Sequence, residues 1–253
     1  MGGQGTNSLA YSDNGGVSWT GLGTSLFAPG RFAKYNGKVW VAGGDAGTNT
    51  LAWSYDGVNW TGLGTSIFAS FGLWAEWNGS MWVATGGTAA AGNNTLAYSY
   101  DGITWIGAGK TTFNVYAYSV AWSPQLSRWV AVGNSDGGGA SDTNIAYSSN
   151  GITWTPSTSS ASIFSDQGVI IKWNGTLFVA GGIGTTNTLA YSYDGIAWTG
   201  LGKTIFSSGC YGLDWNGTMF VAAGEGTNTL AYSFDGINWT GNGSSTFTTR
   251  GYG

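Results

Sequence analysis

An all-β fold of repeated four-stranded antiparallel units is what this sequence predicts, and three observations predict it. One phrase recurs six times along 253 residues, a second phrase alternates with it, and both carry a tight-turn dipeptide between β-rich flanks. The first phrase reads NSLAYSDNGGVSW (7–19), NTLAWSYDGVNW (49–60), NTLAYSYDGITW (94–105), NIAYSSNGITW (144–154), NTLAYSYDGIAW (187–198) and NTLAYSFDGINW (228–239). Its serines, Ser12, Ser54, Ser99, Ser148, Ser192 and Ser233, stand 41 to 49 residues apart. The second phrase falls between successive copies, at 33–44, 75–87, 121–133, 171–182 and 213–224. A period of ~40–50 residues is that of propeller blades.

Each phrase reads as a β-hairpin. Asp-Gly and Asn-Gly suit type I′ turns, in which both central residues take φ > 0. In Trp77-Asn78-Gly79-Ser80-Met81-Trp82 apolar residues flank such a turn, and Asp101-Gly102 turns between Leu96-Ala97-Tyr98 and Ile103-Thr104-Trp105. Two hairpins make a blade with strands A (ending at Trp77), B (Met81–Ala84), C (Thr95–Ser99) and D (Ile103–Ile106). No segment keeps a helical period, and glycines interrupt every candidate. The expected architecture is one β-propeller domain over 1–253, with six blade units. Six C–D hairpins face only five A–B hairpins, so the closing blade is expected to be incomplete. It would join N-terminal strands C and D to a short C-terminal strand near Tyr252. The alternative is five blades plus a spare hairpin, whose exposed edge invites self-association.

The S-x-D-(x)-G-x-x-W phrase resembles the Asp-box, or BNR, repeat of β-propellers such as sialidases and several lectins. The resemblance implies that the box forms the turn between the third and fourth strands, away from the family's active face. Five copies are one residue shorter than the usual box. The first has full length with Asn14 at the acidic position, and Asn150 replaces the acid in the fourth. The residues make physical sense on their own. The carboxylates of Asp56, Asp101, Asp194 and Asp235 can accept N–H groups of their own turns. The rings of Trp60, Trp105, Trp154, Trp198 and Trp239 suit packing between blades.

Composition excludes several classes of function. Charged residues are 8% of the chain and glycines number 46 without a three-residue period, which excludes collagen. Aromatics at 15% exclude disorder. A net charge of −4 and the absence of basic stripes argue against nucleic acid. No apolar run suggests membrane insertion, and no secretory leader precedes residue 10. Histidine is absent and Cys210 is the single cysteine, so His-dependent sites and an internal disulfide are excluded. Cys210 reads as a small packed residue. Low charge with abundant Ser, Thr, Asn and Gly favours a secreted or particle-surface setting. Seven N-x-S/T sequons, at Asn59, Asn78, Asn93, Asn174, Asn216, Asn238 and Asn242, follow largely from the repeat itself.

Candidate functional residues lie on the B–C loops and D–A connections, which share one end of every blade. The connections place a phenylalanine in each repeat, among them Phe68, Phe113 and Phe206. Strand C opens on a polar pair that includes Asn49, Asn94, Asn187 and Asn228. Amides beside aromatic rings suit sugars, whose apolar face stacks while hydroxyls hydrogen-bond, and these seven residues form the candidate ligand set. The phenylalanines read more readily as plugs between blades, since six exposed rings would invite aggregation. Asp136 and Asp142, in the long loop 134–144, offer hard oxygens for Ca²⁺ but match no EF-hand spacing, so no metal and no cofactor are expected. Catalysis has little support. Arg31, Arg128 and Arg250 occupy unlike repeat positions, and Glu76 and Glu225 lie in well-separated repeats. Glu76 shares its repeat position with Lys34, Lys172 and Asp214, which reads as a solvated strand end. The reading is a non-catalytic binding or scaffold module, lectin-like and multivalent. The alternative is a structural or protein-interaction repeat, a fragment or engineered segment of a longer array, with glycans or a protein as partner.

Overall fold

The computed structural model describes residues 2–87, 94–134, 143–158 and 160–252. The chain divides into two compact units, Met1–Thr111 with Val115–Ala117, and Thr112–Asn114 with Tyr118–Gly253.

In the first unit β1 (Ala10–Tyr11) and β2 (Thr20–Gly21) form a two-stranded sheet. Two four-stranded antiparallel sheets follow. The first is β3 (Phe27–Tyr35), β4 (Trp40–Ala46), β5 (Leu51–Ser54) and β6 (Thr61–Gly62), in that order. The second is β7 (Phe71–Trp77), β8 (Trp82–Gly87), β9 (Leu96–Ser99) and β10 (Ile106–Gly107). In the second unit lie β11 (Tyr116–Ser123, its first two residues grouped with the first unit), β12 (Arg128–Asn134), β13 (Ile145–Ser148) and β14 (Thr155–Pro156). Then come β15 (Gln167–Trp173), β16 (Phe178–Ile183), β17 (Leu189–Ser192) and β18 (Thr199–Gly200). The last sheet is β19 (Gly209–Trp215), β20 (Phe220–Glu225), β21 (Leu230–Ser233) and β22 (Thr240–Gly241). Each four-stranded set is a meander of two hairpins, as the paired phrases predict.

Register repeats with the sequence. Trp40 stands opposite Ser54, Trp82 opposite Ser99, Phe178 opposite Ser192 and Phe220 opposite Ser233. Asp45 pairs with Phe71, so the head of one strand A touches the tail of the preceding strand B. Glu225 pairs with Arg250 in the same way. At the other end of the sequence Gly2 bridges Leu9, the register of Ala223 on Leu230. Pieces expected of a closing blade are thus present: β1 and β2 with Gly2 in the first unit, and the Arg250 bridge in the second.

Two expectations need correction. Neither the Asp-Gly nor the Asn-Gly turns are type I′, because only the glycine takes a left-handed φ, +77° at Gly102 and +101° at Gly79, while Asp101 and Asn78 do not. Strand D is also shorter than expected and starts at Ile106 rather than Ile103. Asp101 Oδ1 accepts the N–H groups of Ile103 and Thr104, at 2.8 and 2.7 Å, which diverts them from a ladder. In addition, a short helix α1 (Ser160–Ile163) interrupts the variant connection of the fourth repeat.

The core sits between sheets. In the first unit Val39 and Val41 pack against Leu51, Ala75, Trp82 and Trp105. In the second, Leu177 and Val179 pack against Leu189, Leu213, Phe220 and Trp239. Val130 likewise meets Phe178 and Trp198. These are equivalent repeat positions, so one packing solution is used again and again. Gly102 requires its missing Cβ, because an added carbon would lie 2.9 Å from Val39 Cγ1.

Candidate binding site

The turn that carries the box phrase is built by its own side chains. At Asp56 the carboxylate accepts N–H groups from Val58 and Asn59, at 2.9 and 2.7 Å, and the Ser54 hydroxyl at 3.0 Å. Ser54 Oγ in turn accepts the Gly57 N–H at 2.9 Å. Ser99/Asp101, Ser192/Asp194 and Ser233/Asp235 repeat this bonding. Asn150 takes the same place in the fourth repeat, where its amide oxygen serves as well as a carboxylate. Donors from the Asn59 backbone and side chain hold Asp56 well below the usual carboxylate range. Burial opposes the charge of Asp235, yet donors from Asn238, Ile237 and Ser233 outweigh it and set its pKa at about 2. Each box tryptophan donates its indole N–H to its own turn, as Trp60 does to Gly57 (3.0 Å) and Trp239 to Gly236 (3.1 Å). Trp105 and Trp198 are buried, whereas Trp60, Trp154 and Trp239 are half-buried.

At the other end of the blades the structure assigns the seven candidate ligand residues to the fold. Phe68, Phe113 and Phe206 are fully buried. Their burial fits the reading of them as plugs and leaves these rings, named also in the candidate ligand set, no face for a ligand. The asparagine amides are bonded to backbone on both atoms. Asn49 Oδ1 accepts the Gly64 N–H at 2.8 Å, and Asn94, Asn187 and Asn228 do the same for Gly109, Gly202 and Gly243. Their Nδ2 groups donate to the carbonyls of Leu26, Ile67, Ile163 and Ile205. The threonine that follows reaches the next connection instead: Thr50 donates to Phe68 O at 2.8 Å and Thr188 to Phe206 O at 2.7 Å. Consecutive carbonyls of one connection, Ile67 then Phe68, are thus held from two neighbouring sheets.

The charged candidates are taken up by ion pairs or, for Arg128, by a backbone carbonyl. Arg31 grips Asp45 with two 2.7 Å bonds, and Arg250 bonds Glu225 at 2.6 Å. Arg128 donates to the Asp194 carbonyl. Lys34 and Glu76 meet at 2.5 Å, and Lys172 meets Asp214 at 2.9 Å. The solvated-strand-end reading is corrected accordingly. Equivalent positions alternate in sign because neighbouring sheets bring them together. Burial raises the Cys210 thiol to about 12. Among the described residues no three His, Cys, Asp or Glu side chains group to hold a metal ion, and Asp136 and Asp142 lie outside the described residues. No helix of the described residues is long and apolar enough to cross a membrane.

The sequence reading missed a set of exposed rings. Tyr55, Tyr100, Tyr193 and Phe234, each just before a box acid, are 56 to 66% exposed. Each stands edge-on to a ring two residues earlier, Trp53, Tyr98, Tyr191 or Tyr232, with centroids 4.9 to 6.0 Å apart. The signal was present as an aromatic at both positions, and strand alternation puts residues i and i+2 on one face. The first unit also contains a cavity of about 330 Å³ between β1, β2 and the first four-stranded sheet, lined by Leu9, Leu22, Ala33, Trp40 and Trp60 and rimmed by Asp13 and Asp56.

Comparison with solved structures defines the class: the chain has a β-propeller fold. It resembles YCF48, solved bound to D1 peptide, with a TM-score of 0.63 and 17% identity over 99% of this chain and 81% of that one. It resembles a chain of a nidogen/laminin complex with a TM-score of 0.59 and 11% identity over 93% and 87%. The computationally designed Ika8 protein gives a TM-score of 0.55 and 12% identity, and this chain spans 58% of its length. No protein-family model and no curated relative matches the sequence.

Proposed function

We propose that this β-propeller is a non-catalytic, multivalent recognition module that binds glycans through the paired rings at its C–D turns. The observation that carries the reading is the repetition of one exposed aromatic pair at Tyr55, Tyr100, Tyr193 and Phe234. Exposed rings on a rigid scaffold cost solubility and mark interaction sites. A ring braced edge-on by a second ring offers a flat apolar face of fixed direction, which suits the apolar face of a pyranose. The adjacent carboxylates, Asp56 and Asp235, and the Asn59 and Asn238 amides supply polar groups for hydroxyls. Weak equivalent sites gain from repetition, since linked sites raise avidity by ~10²–10⁴. The ion-paired arginines and glutamates favour binding over hydrolysis.

A glycan array tests this. Saturable binding is expected, with loss in a variant carrying Tyr55→Ala, Tyr100→Ala, Tyr193→Ala and Phe234→Ala that keeps its circular dichroism spectrum. Silence of the native protein on the array, or undiminished binding by the variant, refutes the reading. Turnover of aryl glycosides that disappears with Glu76→Gln refutes its non-catalytic part.

A further inference from the structure

The cavity of the first unit has an identifiable shape. Its lining residues Leu9, Tyr11, Trp19, Leu22, Ala33, Trp40, Gly57 and Trp60 are the repeat equivalents of Leu51, Trp53, Trp60, Leu63, Ala75, Trp82, Gly102 and Trp105. Most of this second set surrounds Val39 and Val41. In the second unit the same place, beside Gly236, Leu213 and Trp239, is filled by Leu177 and Val179. A Cβ on Gly102 would press on Val39 and Val41, and one on Gly236 on Val179 and Leu177. The three atoms nearest a Cβ on Gly57 all belong to the Trp40 ring, and none to a branched side chain such as those beside Gly102 and Gly236. The space is therefore shaped for two branched apolar side chains at positions i and i+2 of one strand.

A backbone edge lies beside it. Gly2 on Leu9 repeats the register of Ala223 on Leu230, which in β20 continues to Val221 on Tyr232 and Phe220 on Ser233. Among the described residues no strand stands in that place opposite Tyr11 and Ser12. The rim carries Asp13 and Asp56, while the hairpin 34–43 carries Lys34 and Lys38 beside its two valines.

We propose that this cavity is a docking site for a β-hairpin of the chain's own A–B type, supplied by another polypeptide: an Asn-Gly turn, a basic residue beside it, and valine or leucine at alternate positions. Binding extends the β1–β2 sheet by a strand, so main-chain bonds give affinity and the two pockets give selectivity. The cavity shares Asp56 with the Tyr55 turn but is lined by none of the four exposed rings.

A labelled peptide with the sequence of residues 34–43 (KYNGKVWVAG) tests the proposal, titrated against the full chain by fluorescence anisotropy. Saturable binding is expected. A peptide carrying Asp in place of both valines is expected to bind at least about tenfold more weakly, a loss of ~1.4 kcal/mol. Ala33→Trp in the chain, which fills the cavity, is expected to weaken the native peptide similarly while leaving glycan binding unchanged. The peptide-side change leaves the protein intact, so the comparison holds even if Ala33→Trp does not fold. No saturable binding up to ~1 mM, the weak end of specific recognition, overturns the proposal. Equal binding of the two peptides does so as well, since it marks an unselective apolar surface.

Discussion

Replacement of Trp105 by alanine isolates the energetics of the packing between sheets. The ring is 8% exposed, lies against Val39, Val41 and Trp82, and donates its indole N–H to Gly102 O at 3.1 Å. Removing a ring of ~200 Å² from burial forfeits ~5 kcal/mol at 25 cal/mol per Å². The extended-chain reference overstates that figure, and large-to-small core changes of this type cost ~3–5 kcal/mol. Trp19 occupies the same box position with the same indole bond, to Gly16 O at 3.1 Å, but is 47% exposed. Trp19→Ala is therefore expected to cost under ~1 kcal/mol, as surface changes do. Urea unfolding followed by far-ultraviolet circular dichroism reads both, with the slope checked for each variant because two compact units need not unfold as one. A Trp105→Ala loss below ~1 kcal/mol, or equal losses for the two variants, refutes the packing argument.

Asn187→Ala removes the amide that serves the Gly202 N–H and the Ile163 carbonyl. It is expected to cost ~2–4 kcal/mol in the same assay, since two backbone groups lose their partner; a loss under ~0.5 kcal/mol contradicts that role. The Asp235 carboxyl has a folded pKa of about 2, below its ordinary value of 3.8. Its stabilisation is complete above the unfolded value and is lost as pH falls through the folded one. The melting temperature of Asp235→Asn is expected to fall less than that of the native protein between roughly pH 4 and pH 2; parallel curves reject the assignment. The Cys210 thiol, at about 12, is expected to resist an aromatic disulfide reagent at neutral pH until denaturant is added. Prompt stoichiometric labelling of the folded protein contradicts its burial.

The sheets were legible because their information is local. Strand alternation and an Asn-Gly or Asp-Gly turn lie within a dozen residues, and six copies average out the noise of any single one. The ends of strand D were not legible, because the Asp101 carboxylate competes for the N–H groups of Ile103 and Thr104, and propensity does not register that competition. The fate of the asparagines and phenylalanines depended on contacts 15 to 27 residues away, such as Asn94 with Gly109 and Ile67. Residue type alone does not distinguish an amide that meets a sugar from one that meets a carbonyl. The Lys34–Glu76 and Lys172–Asp214 pairs were written in the sequence as alternating signs at one repeat position. Their meaning appears only once neighbouring sheets are known to abut there.

The double clamp on each connection has a consequence for how such a chain diversifies. Where Ile67 and Phe68, or Ile205 and Phe206, give consecutive carbonyls to two sheets, a residue inserted between the two would turn one carbonyl away from its donor, whereas the fourth connection carries two more residues ahead of its clamp and still gives Ile163 and Phe164 to Asn187 and Asn144. The stretch between strand B and the clamping asparagine varies most in sequence length, from 47–48 before Asn49 to 135–143 before Asn144. Length variation is therefore kept away from the two clamped carbonyls and from the asparagines that hold them. A lineage of these repeats can vary the stretch ahead of each asparagine while duplication copies the clamped pairs unchanged. A break placed just ahead of the asparagine would exchange whole hairpins between copies without cutting a single clamp.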